Sequence, residues 1–398
     1  MRSLSTVYND MDLAVARPRL PALTSLRFFA AFHVVIFHFQ AMQIFFGPAW
    51  FQKLSSIGYV GVSFFFVLSG FILVYTYAGR PIILKDFWRA RFARIYPAYA
   101  FSLLVTAPFF FFVVLTMNIP FFVWPKAHLK LASVLVLSLL QAWVPPGALT
   151  WNAVAWSLSV EAFFYLLFPF ALLFLVRRSQ TQLLLLAVAS WLTSLAFSFS
   201  YVTFNPDHLT VVNADVLGAF WLNALKFNPL ARLPEFLLGM ACGFLFLRSR
   251  QESKLALPLI LSGCAALAIV AYFSGAILYP ILHTALLAPA FAAIVYGFAL
   301  RPKWGAILEN RLLVLCGDAS YSLYLLHSMI IGMYFHTTTG QLRNQTPVGV
   351  LVFVLLALTI SALVYRFIEE PARRKLNPKR KRQPGSLETQ TPAQTVPA

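Results

Sequence analysis

Residues 26–39 read LRFFAAFHVVIFHF, an apolar stretch that is interrupted by Arg27, His33 and His38. Arg27 and His38 are about three helical turns apart, so both side chains project from one face of a helix. The rise between them is about 16 Å, roughly half the hydrocarbon thickness of a bilayer. If Arg27 lies at a membrane surface, His38 lies near the midplane. Because an ionisable side chain is costly there, this pair indicates a functional site.

The composition is that of an integral membrane protein. Hydrophobic residues make up 60% of the 398 residues and charged residues 11%, and the mean hydropathy is +0.75. Long apolar runs recur along the chain, without a soluble block large enough for a second domain. We therefore predict one all-α, polytopic transmembrane bundle at 21–371. A cytoplasmic tail at 1–20 is expected to precede it, and a basic, disordered cytoplasmic tail at 372–398 to follow it.

Hydropathy predicts about ten transmembrane helices. A further apolar stretch at 129–142 is too short to span a bilayer, and we interpret it as re-entrant or interfacial. The predicted spans are 26–46, 60–78, 95–117, 157–176, 182–202, 231–247, 255–273, 280–300, 312–335 and 347–368.

The net charge of +18 is explained by membrane topology. With the N-terminus inside, most of the 31 Lys and Arg fall on the cytoplasmic side, so the positive-inside rule predicts that both termini are cytoplasmic. This charge lies in short loops beside spans, so we expect no nucleic-acid partner. The basic tail is interpreted as a topology signal, with contact to anionic membrane lipid as the alternative.

Charged residues also stand at the beginning of two further predicted spans, where they indicate either helix ends or a binding site. Arg91 and Arg94 face the same way at the inner end of the third span. They are either positive-inside anchors or, at a helix start, a cradle for phosphate groups. Glu161 lies one turn into the fourth span, which we expect to open from the outer side. There it is slightly too deep for a simple helix cap.

Two later motifs also carry polar residues. RLPEFLLGMACG at 232–243 contains Arg232 and Glu235 and two glycines four residues apart, a spacing typical of close helix packing. GDASYSLYLLH places Tyr324 and His327 on one face of an apolar helix. A polar stripe of this kind contacts protein or water and not lipid.

Other polar residues are assigned structural roles. A lone histidine inside a membrane more often hydrogen-bonds a neighbouring helix than takes part in chemistry, and this is our interpretation of His33 and His283. Arg366, Glu369 and Glu370 at the inner membrane edge are expected to form only boundary ion pairs.

In this order the motifs resemble those of the membrane-bound acyltransferase-3 family of bacterial O-acyltransferases. The resemblance covers about residues 20–370. It rests on Arg27 with ten residues before His38, and then on GYVGVSFFFVLSGFIL, RFARIYP, WSLSVEAFFYLLFP, RLPEFLLGM and GDASYSLYLLH. It implies ten spans in the bacterial cytoplasmic (inner) membrane and cytoplasmic acyl-CoA as donor, with acetyl as the expected group. The implied acceptor is a hydroxyl of a cell-envelope carbohydrate, such as lipopolysaccharide or exopolysaccharide, or sometimes a macrolide. No permanently bound cofactor and no metal are expected.

The resemblance maps its arginine–histidine pair to Arg27 and His38, and its two-arginine motif to Arg91 and Arg94. Acyl transfer from a thioester to an alcohol needs a base for the hydroxyl proton and donors for the developing oxyanion. We predict that His38 is the base, because desolvation near the midplane disfavours its charged form. The three arginines are predicted to bind the phosphates of CoA.

Glu161 is predicted to take part in catalysis, either by orienting His38 or by binding sugar hydroxyls as the acceptor enters from the outer side. Glu235, Tyr324 and His327 are assigned to substrate binding. Whether His38 is transiently acylated stays open. The alternative function is a transporter or flippase for a glycan or small anion, with intramembrane His, Glu and Asp as a proton relay. It predicts inverted repeats with broken helices, which the two halves of the sequence do not show.

Overall fold

The computed structural model describes residues 17–41, 47–211, 216, 218–249, 253–338 and 347–376, and no β-strand occurs among them. The helices that correspond to the predicted spans are α1 Pro21–Ala41, α2 Gly61–Tyr77, α3 Leu84–Thr116, α4 Trp156–Leu175, α5 Gln180–Phe204, α6 Pro229–Arg248, α7 Ala256–Tyr272, α8 Ala288–Ala299, α9 Arg311–Thr338 and α10 Pro347–Val364. The shorter α-helices are Ala49–Ser56, Val123–Ala127, Leu129–Leu137, Phe220–Phe227, Tyr279–His283 and Glu370–Leu376.

Within the described residues, 9 helices are long and apolar enough to cross a membrane. A tenth candidate is the bent pair Ala285–Ala299 and Lys303–Glu309, whose two parts meet at 100°. A helix satisfies its own backbone hydrogen bonds, which is the requirement for crossing a bilayer. The predicted all-α bundle is confirmed, and the chain is a multi-pass membrane protein. The cytoplasmic location of both termini stays a prediction.

The ends of the predicted domain fall partly outside the described residues. Residues 1–16 of the predicted N-terminal tail and 377–398 of the predicted basic tail are not described. At the C-terminal boundary the helical path continues through the five-residue π-helical turn Tyr365–Glu369 into Glu370–Leu376. The first residues of the predicted tail are therefore helical.

The predicted eighth span, 280–300, is broken in the structure. A short helix, Tyr279–His283, ends at Thr284, whose backbone is extended with φ −95° and ψ −153°. A separate helix, α8, begins at Ala288 and is only 12 residues long. Pro280 stands in the first turn of the short helix, where its missing N–H leaves no hydrogen bond unmade. A hydropathy window averages over such a break and does not detect it.

The third predicted span, 95–117, begins earlier than expected. Helix α3 starts at Leu84, after Ile83 in an extended conformation, and runs for 33 residues, which is about 50 Å and longer than the hydrocarbon core of a bilayer. Arg91 and Arg94 therefore lie inside this helix, where backbone N–H groups are already bonded within the helix. The expectation that these arginines mark a helix start is wrong.

Helix α2 lies at the centre of the bundle and packs closely against α6. An ideal Cβ atom on Gly239 of α6 would lie 2.1 Å from the carbonyl oxygen of Val67. On the facing helix, a Cβ atom on Gly70 would lie 2.3 Å from the carbonyl oxygen of Phe236. Only glycine fits at either position, so the close packing that was predicted from the small-residue spacing is confirmed.

The segment between α3 and α4 folds back against the bundle. Its helix Leu129–Leu137 has 9 residues, too few to span a bilayer. Tyr99 of α3 donates to the carbonyl oxygen of Val136 at 2.7 Å, and Asn152 Nδ2 donates to that of Leu325 in α9 at 3.0 Å. Ser157, in the first turn of α4, contacts Tyr324, so α4 begins beside the middle of α9.

We expect replacement of Gly239 by alanine to destabilise the protein. The added methyl group meets backbone atoms of α2, which cannot rotate away, so the helices must separate at a cost of about 2 kcal/mol. The measurement is the thermal unfolding midpoint in detergent. Gly275→Ala is the matched control, since nothing lies within 4 Å of a Cβ atom there. Equal midpoints for the two variants would contradict the close packing.

Candidate active site

Helices α1, α2, α3, α4 and α9 enclose a cavity of about 180 Å³ in the bundle. Its wall combines charged and hydroxyl-bearing side chains with apolar ones. The polar lining residues are Thr24, Arg27, Ser69, Arg91, Arg94, Ser157, Glu161, Tyr165, Ser320, Tyr321 and Tyr324. A concave site that mixes apolar walls with a few converging polar groups is the usual form of a small-molecule site.

The cavity is elongated along the helices. On α2 its lining extends from Val62 to Leu73, a rise of about 16 Å. At one end Arg91 lies over the Tyr165 ring, 5.6 Å from its centroid. At the other end Ser157 donates a hydrogen bond of 2.9 Å to the Tyr324 hydroxyl. The cavity therefore suits a long and narrow ligand better than a compact one.

We call the end of the cavity at Arg91 the arginine end, and an ion pair holds one of its walls in place. Arg94 forms a buried ion pair and hydrogen bond with Glu369, whose side chain is 0% exposed. Ser322 donates to the second carboxylate oxygen of Glu369 at 3.2 Å. Arg94 also lies over the Tyr321 ring, 5.6 Å from its centroid. These contacts hold the guanidinium at the cavity in a low-dielectric interior, where a lone charge would be costly.

Arg27 and Arg91 have no carboxylate partner of this kind in the part of the chain that is described. Arg91 has a 3.5 Å contact to the Tyr77 hydroxyl and stacks on aromatic rings. No hydrogen bond from the Arg27 guanidinium to a described residue is found, and it interacts electrostatically with Arg94 and Glu161. With three arginines and two carboxylates, this end of the cavity has an excess positive charge.

Glu161 lies at the same cavity as the arginines and accepts a hydrogen bond from the Tyr165 hydroxyl. The two residues are four apart on α4, so they share one face of the helix. On α4, Glu161 stands between Ser157, at the Tyr324 end of the cavity, and Tyr165, at the Arg91 end. That the acceptor enters from the outer side past Glu161 stays a prediction.

His38 and His327 form a pair beyond the Tyr324 end of the cavity. The Nε2 atom of His327 lies 3.2 Å from Nδ1 of His38, and the ring centroids are 4.8 Å apart. Tyr324 and Phe65, with ring centroids 6.2 Å apart, close the cavity between the arginines and this pair. Neither histidine lines the cavity in this structure.

Glu235 is apart from the residues described above. It forms a buried ion pair with Arg232, in which Nε and Oε2 are 3.0 Å apart. Arg232 also donates to the carbonyl oxygen of His283 and to Ser63 Oγ, both at 2.9 Å. His33 bonds the carbonyl oxygen of Leu54 through Nε2 at 2.8 Å, as expected for a structural histidine.

The structure thus sorts the predicted site residues into three places. Arg27, Arg91, Arg94, Glu161 and Tyr324 line one cavity. His38 and His327 are paired beyond its closed end, and Glu235 lies in a separate ion pair.

Among the site residues that sequence reasoning missed, Tyr165 and Glu369 make the most direct contacts with the predicted ones. Tyr165 is recognisable in retrospect, because it lies four residues after Glu161 in a helical pattern. Glu369 was assigned to a boundary ion pair. It is instead the buried partner of Arg94, because the π-helical turn changes the face on which it projects. Glu370 forms the exposed pairs, with Arg366 and Arg374.

Comparison with known proteins identifies the chain. The sequence model of the acyltransferase-3 family, described as an acyltransferase domain, matches residues 20–366. The chain belongs to the acyltransferase-3 family. It is 30% identical to the acyltransferase MdmB of Streptomyces mycarofaciens over 382 residues, a match that covers 91% of this chain and 94% of MdmB. No solved structure matches the chain.

A second group of relatives consists of O-acetyltransferases. The chain is 28% identical over 381 residues to the O-acetyltransferase OatA of Staphylococcus aureus, and the match covers 89% of this chain and 57% of OatA. It thus spans little more than half the length of that relative. This member of the family is an acyltransferase, and its relatives support transfer of the acyl group to oxygen.

We expect Glu369→Gln to destabilise this acyltransferase by about 3 kcal/mol, because it leaves the Arg94 charge buried without its counter-charge. The measurement is thermal unfolding in detergent. Replacing both partners, in Arg94→Met/Glu369→Leu, removes the uncompensated charge and restores most of the lost stability.

The control for this experiment is Arg366→Gln. Arg366 is 67% exposed and pairs with Glu370, and an exposed pair contributes at most about 1 kcal/mol. If Glu369→Gln unfolds at the same temperature as this control, the buried pair does not stabilise the fold.

Proposed function

We propose that this acyltransferase transfers an acyl group, with acetyl as the expected group, from cytoplasmic acyl-CoA to a hydroxyl of a cell-envelope carbohydrate. The proposal places it in the bacterial cytoplasmic membrane. The observation that carries it is an elongated cavity in which Arg27, Arg91 and Arg94 meet at one end, while the His38–His327 pair lies just beyond the other.

Unpaired donors at the arginine end support binding of an anion. Arg91 Nε and Arg94 Nη2 are buried and have no hydrogen-bond partner among the described residues. Buried donors are nearly always satisfied in a complete protein. Phosphate oxygens satisfy such donors, because guanidinium groups bind them through parallel, charge-assisted hydrogen bonds. The phosphates of CoA would supply these oxygens.

The shape of the cavity supports a CoA donor in particular. The pantetheine arm of CoA is a flexible chain with the thioester at its tip. A cavity that extends for about 16 Å along α2 would accommodate such an arm and direct the thioester toward Tyr324. Tyr324 and Phe65 stand at the end of this path, and His38 does not line it. The proposal therefore includes a rotation of these side chains when the donor is bound.

His38 would act as the general base. In the proposed step Nε2 of His38 takes the proton of the acceptor hydroxyl while its oxygen attacks the thioester carbonyl carbon. The carbon–sulfur bond then breaks, the CoA sulfur leaves as a thiolate, and the imidazolium returns the proton to it. The products are an ester and free CoA thiol. Proton transfer by a positioned base of this type contributes about 10²- to 10⁴-fold to the rate.

We expect Arg27→Gln to weaken donor binding. The variant loses a charge-assisted contact with phosphate that is worth about 2 kcal/mol, so KM for acetyl-CoA rises by about 30-fold. The measurement is incorporation of label from radiolabelled acetyl-CoA into the envelope glycan fraction by membranes of an expressing strain. Arg177→Gln, an exposed arginine outside the cavity, is the matched control. An unchanged KM in Arg27→Gln would contradict the proposed donor site.

We expect His38→Gln to abolish transfer while leaving expression and membrane insertion intact, because it removes the base. The measurement is mass spectrometry of envelope glycans from a deletion strain, which shows the ester that is lost. The strain is then complemented with the natural enzyme or with His38→Gln, and the return of that ester is compared. Normal ester levels with His38→Gln would exclude His38 as the base. Loss of no glycan ester in the deletion strain would exclude a carbohydrate acceptor.

A further inference from the structure

We propose that His327 is a positioning residue that holds the His38 ring in place and stabilises its imidazolium form, and that it does not contact the substrate. The inference rests on the proposed role of His38 as base and deepens it. It revises the expectation from the sequence that His327 belongs to substrate binding. The geometry of two adjacent imidazoles and two backbone carbonyls carries it.

The tautomer of His38 follows from its contact with its own helix. Nδ1 of His38 lies 2.8 Å from the carbonyl oxygen of Val34, one turn earlier in α1. A carbonyl oxygen only accepts hydrogen bonds, so Nδ1 must bear the proton. In the neutral imidazole this leaves Nε2 as the unprotonated nitrogen. That is the nitrogen needed to take a proton from a hydroxyl.

The tautomer of His327 follows from the same reasoning on α9. Nδ1 of His327 lies 2.7 Å from the carbonyl oxygen of Tyr324, so it too bears a proton and donates. The Nε2 atom of neutral His327 is therefore an acceptor. It lies 3.2 Å from the protonated Nδ1 of His38. The His38 N–H is thus shared between two acceptors, the Val34 carbonyl oxygen and the His327 ring nitrogen.

This arrangement gives His327 a role that differs between the two states of His38. While His38 is neutral, the hydrogen bond keeps its proton on Nδ1 and the lone pair on Nε2. When Nε2 takes the acceptor proton, the ring becomes an imidazolium and its Nδ1–H becomes a charge-assisted donor to His327. The contact is therefore strongest in the charged state that forms during the reaction, and such contacts raise kcat.

The complete burial of His327 fits a positioning role. The His327 side chain is 0% exposed and does not line the cavity. Its ring lies between Tyr324 and His38, with ring centroids 6.0 Å and 4.8 Å away. Helices α1 and α9 pack against each other, which keeps the two histidines together.

Two substitutions test whether His327 acts by accepting a hydrogen bond from His38 or only by filling space beside it. In His327→Gln the amide oxygen can occupy the place of Nε2 and accept from His38. In His327→Asn the shorter amide reaches only the place of Nδ1, so the acceptor toward His38 is lost. We expect kcat to fall by about 10- to 100-fold in His327→Asn and to stay within about threefold of the natural enzyme in His327→Gln. KM for acetyl-CoA is expected to be unchanged in both.

The measurement is the same label-transfer assay, with thermal unfolding to confirm that both variants fold. The matched control is His33→Gln, which replaces another half-buried histidine of α1 that also hydrogen-bonds a backbone carbonyl oxygen. We expect it to leave kcat unchanged. Wild-type kcat in His327→Asn, or equal losses in the Gln and Asn variants, would overturn the positioning role. Activity in His38→Gln would instead overturn the proposed function, so the two failures are distinguishable.

Discussion

A guanidinium inside a bilayer must either pair with a carboxylate or face a polar cavity, and this constraint organises the protein. Arg94 and Arg232 take the first solution, with Glu369 and Glu235 as their partners. Arg27 takes the second, because its side chain opens into the cavity. The Arg94 pair connects α3 to the helical segment after α10, so the same contact that neutralises a charge also closes one wall of the site.

The cavity exists because the helices around it are unequal in length and depth. Helix α3 is longer than a bilayer is thick, while α4 begins beside the middle of α9. These two offsets bring Glu161 and Tyr165 to the level of Arg91. A bundle of ten equal spans would place Glu161 near one membrane surface and the arginines near the other. Irregular backbone at membrane depth is tolerated here because it is packed against protein.

Most of the fold could be predicted from the sequence, because long apolar runs are a strong signal and the bilayer sets their length. The arginines and Glu161 were also found, since charges in apolar helices stand out. The break at Thr284 was missed, because an averaged hydropathy has no term for a local change of backbone direction. The early start of α3 was missed for a related reason: its first turns are polar, so hydropathy excludes them although they are helical.

Contacts between side chains of different helices were the least predictable feature of the candidate site. Glu369 and Arg94 are far apart in sequence, and a π-helical turn sets the direction in which Glu369 projects. No periodicity within a single helix reveals such a partner. His38 and His327 are likewise brought together only by the packing of α1 on α9. From one sequence, Arg27 and His38 could be aligned on one helix face, but the residue that stands beside His38 could not be named.

The closed end of the cavity at Tyr324 and Phe65 bears on the electrical integrity of the membrane. A passage wide enough for a thioester and open at both surfaces would conduct water and small ions, and it would discharge the ion gradients across the membrane. The rings of Tyr324 and Phe65 would keep such a passage closed under the proposed function. Under the proposed function, a donor from one compartment and an acceptor from the other meet within the protein while the barrier between their solutions stays intact.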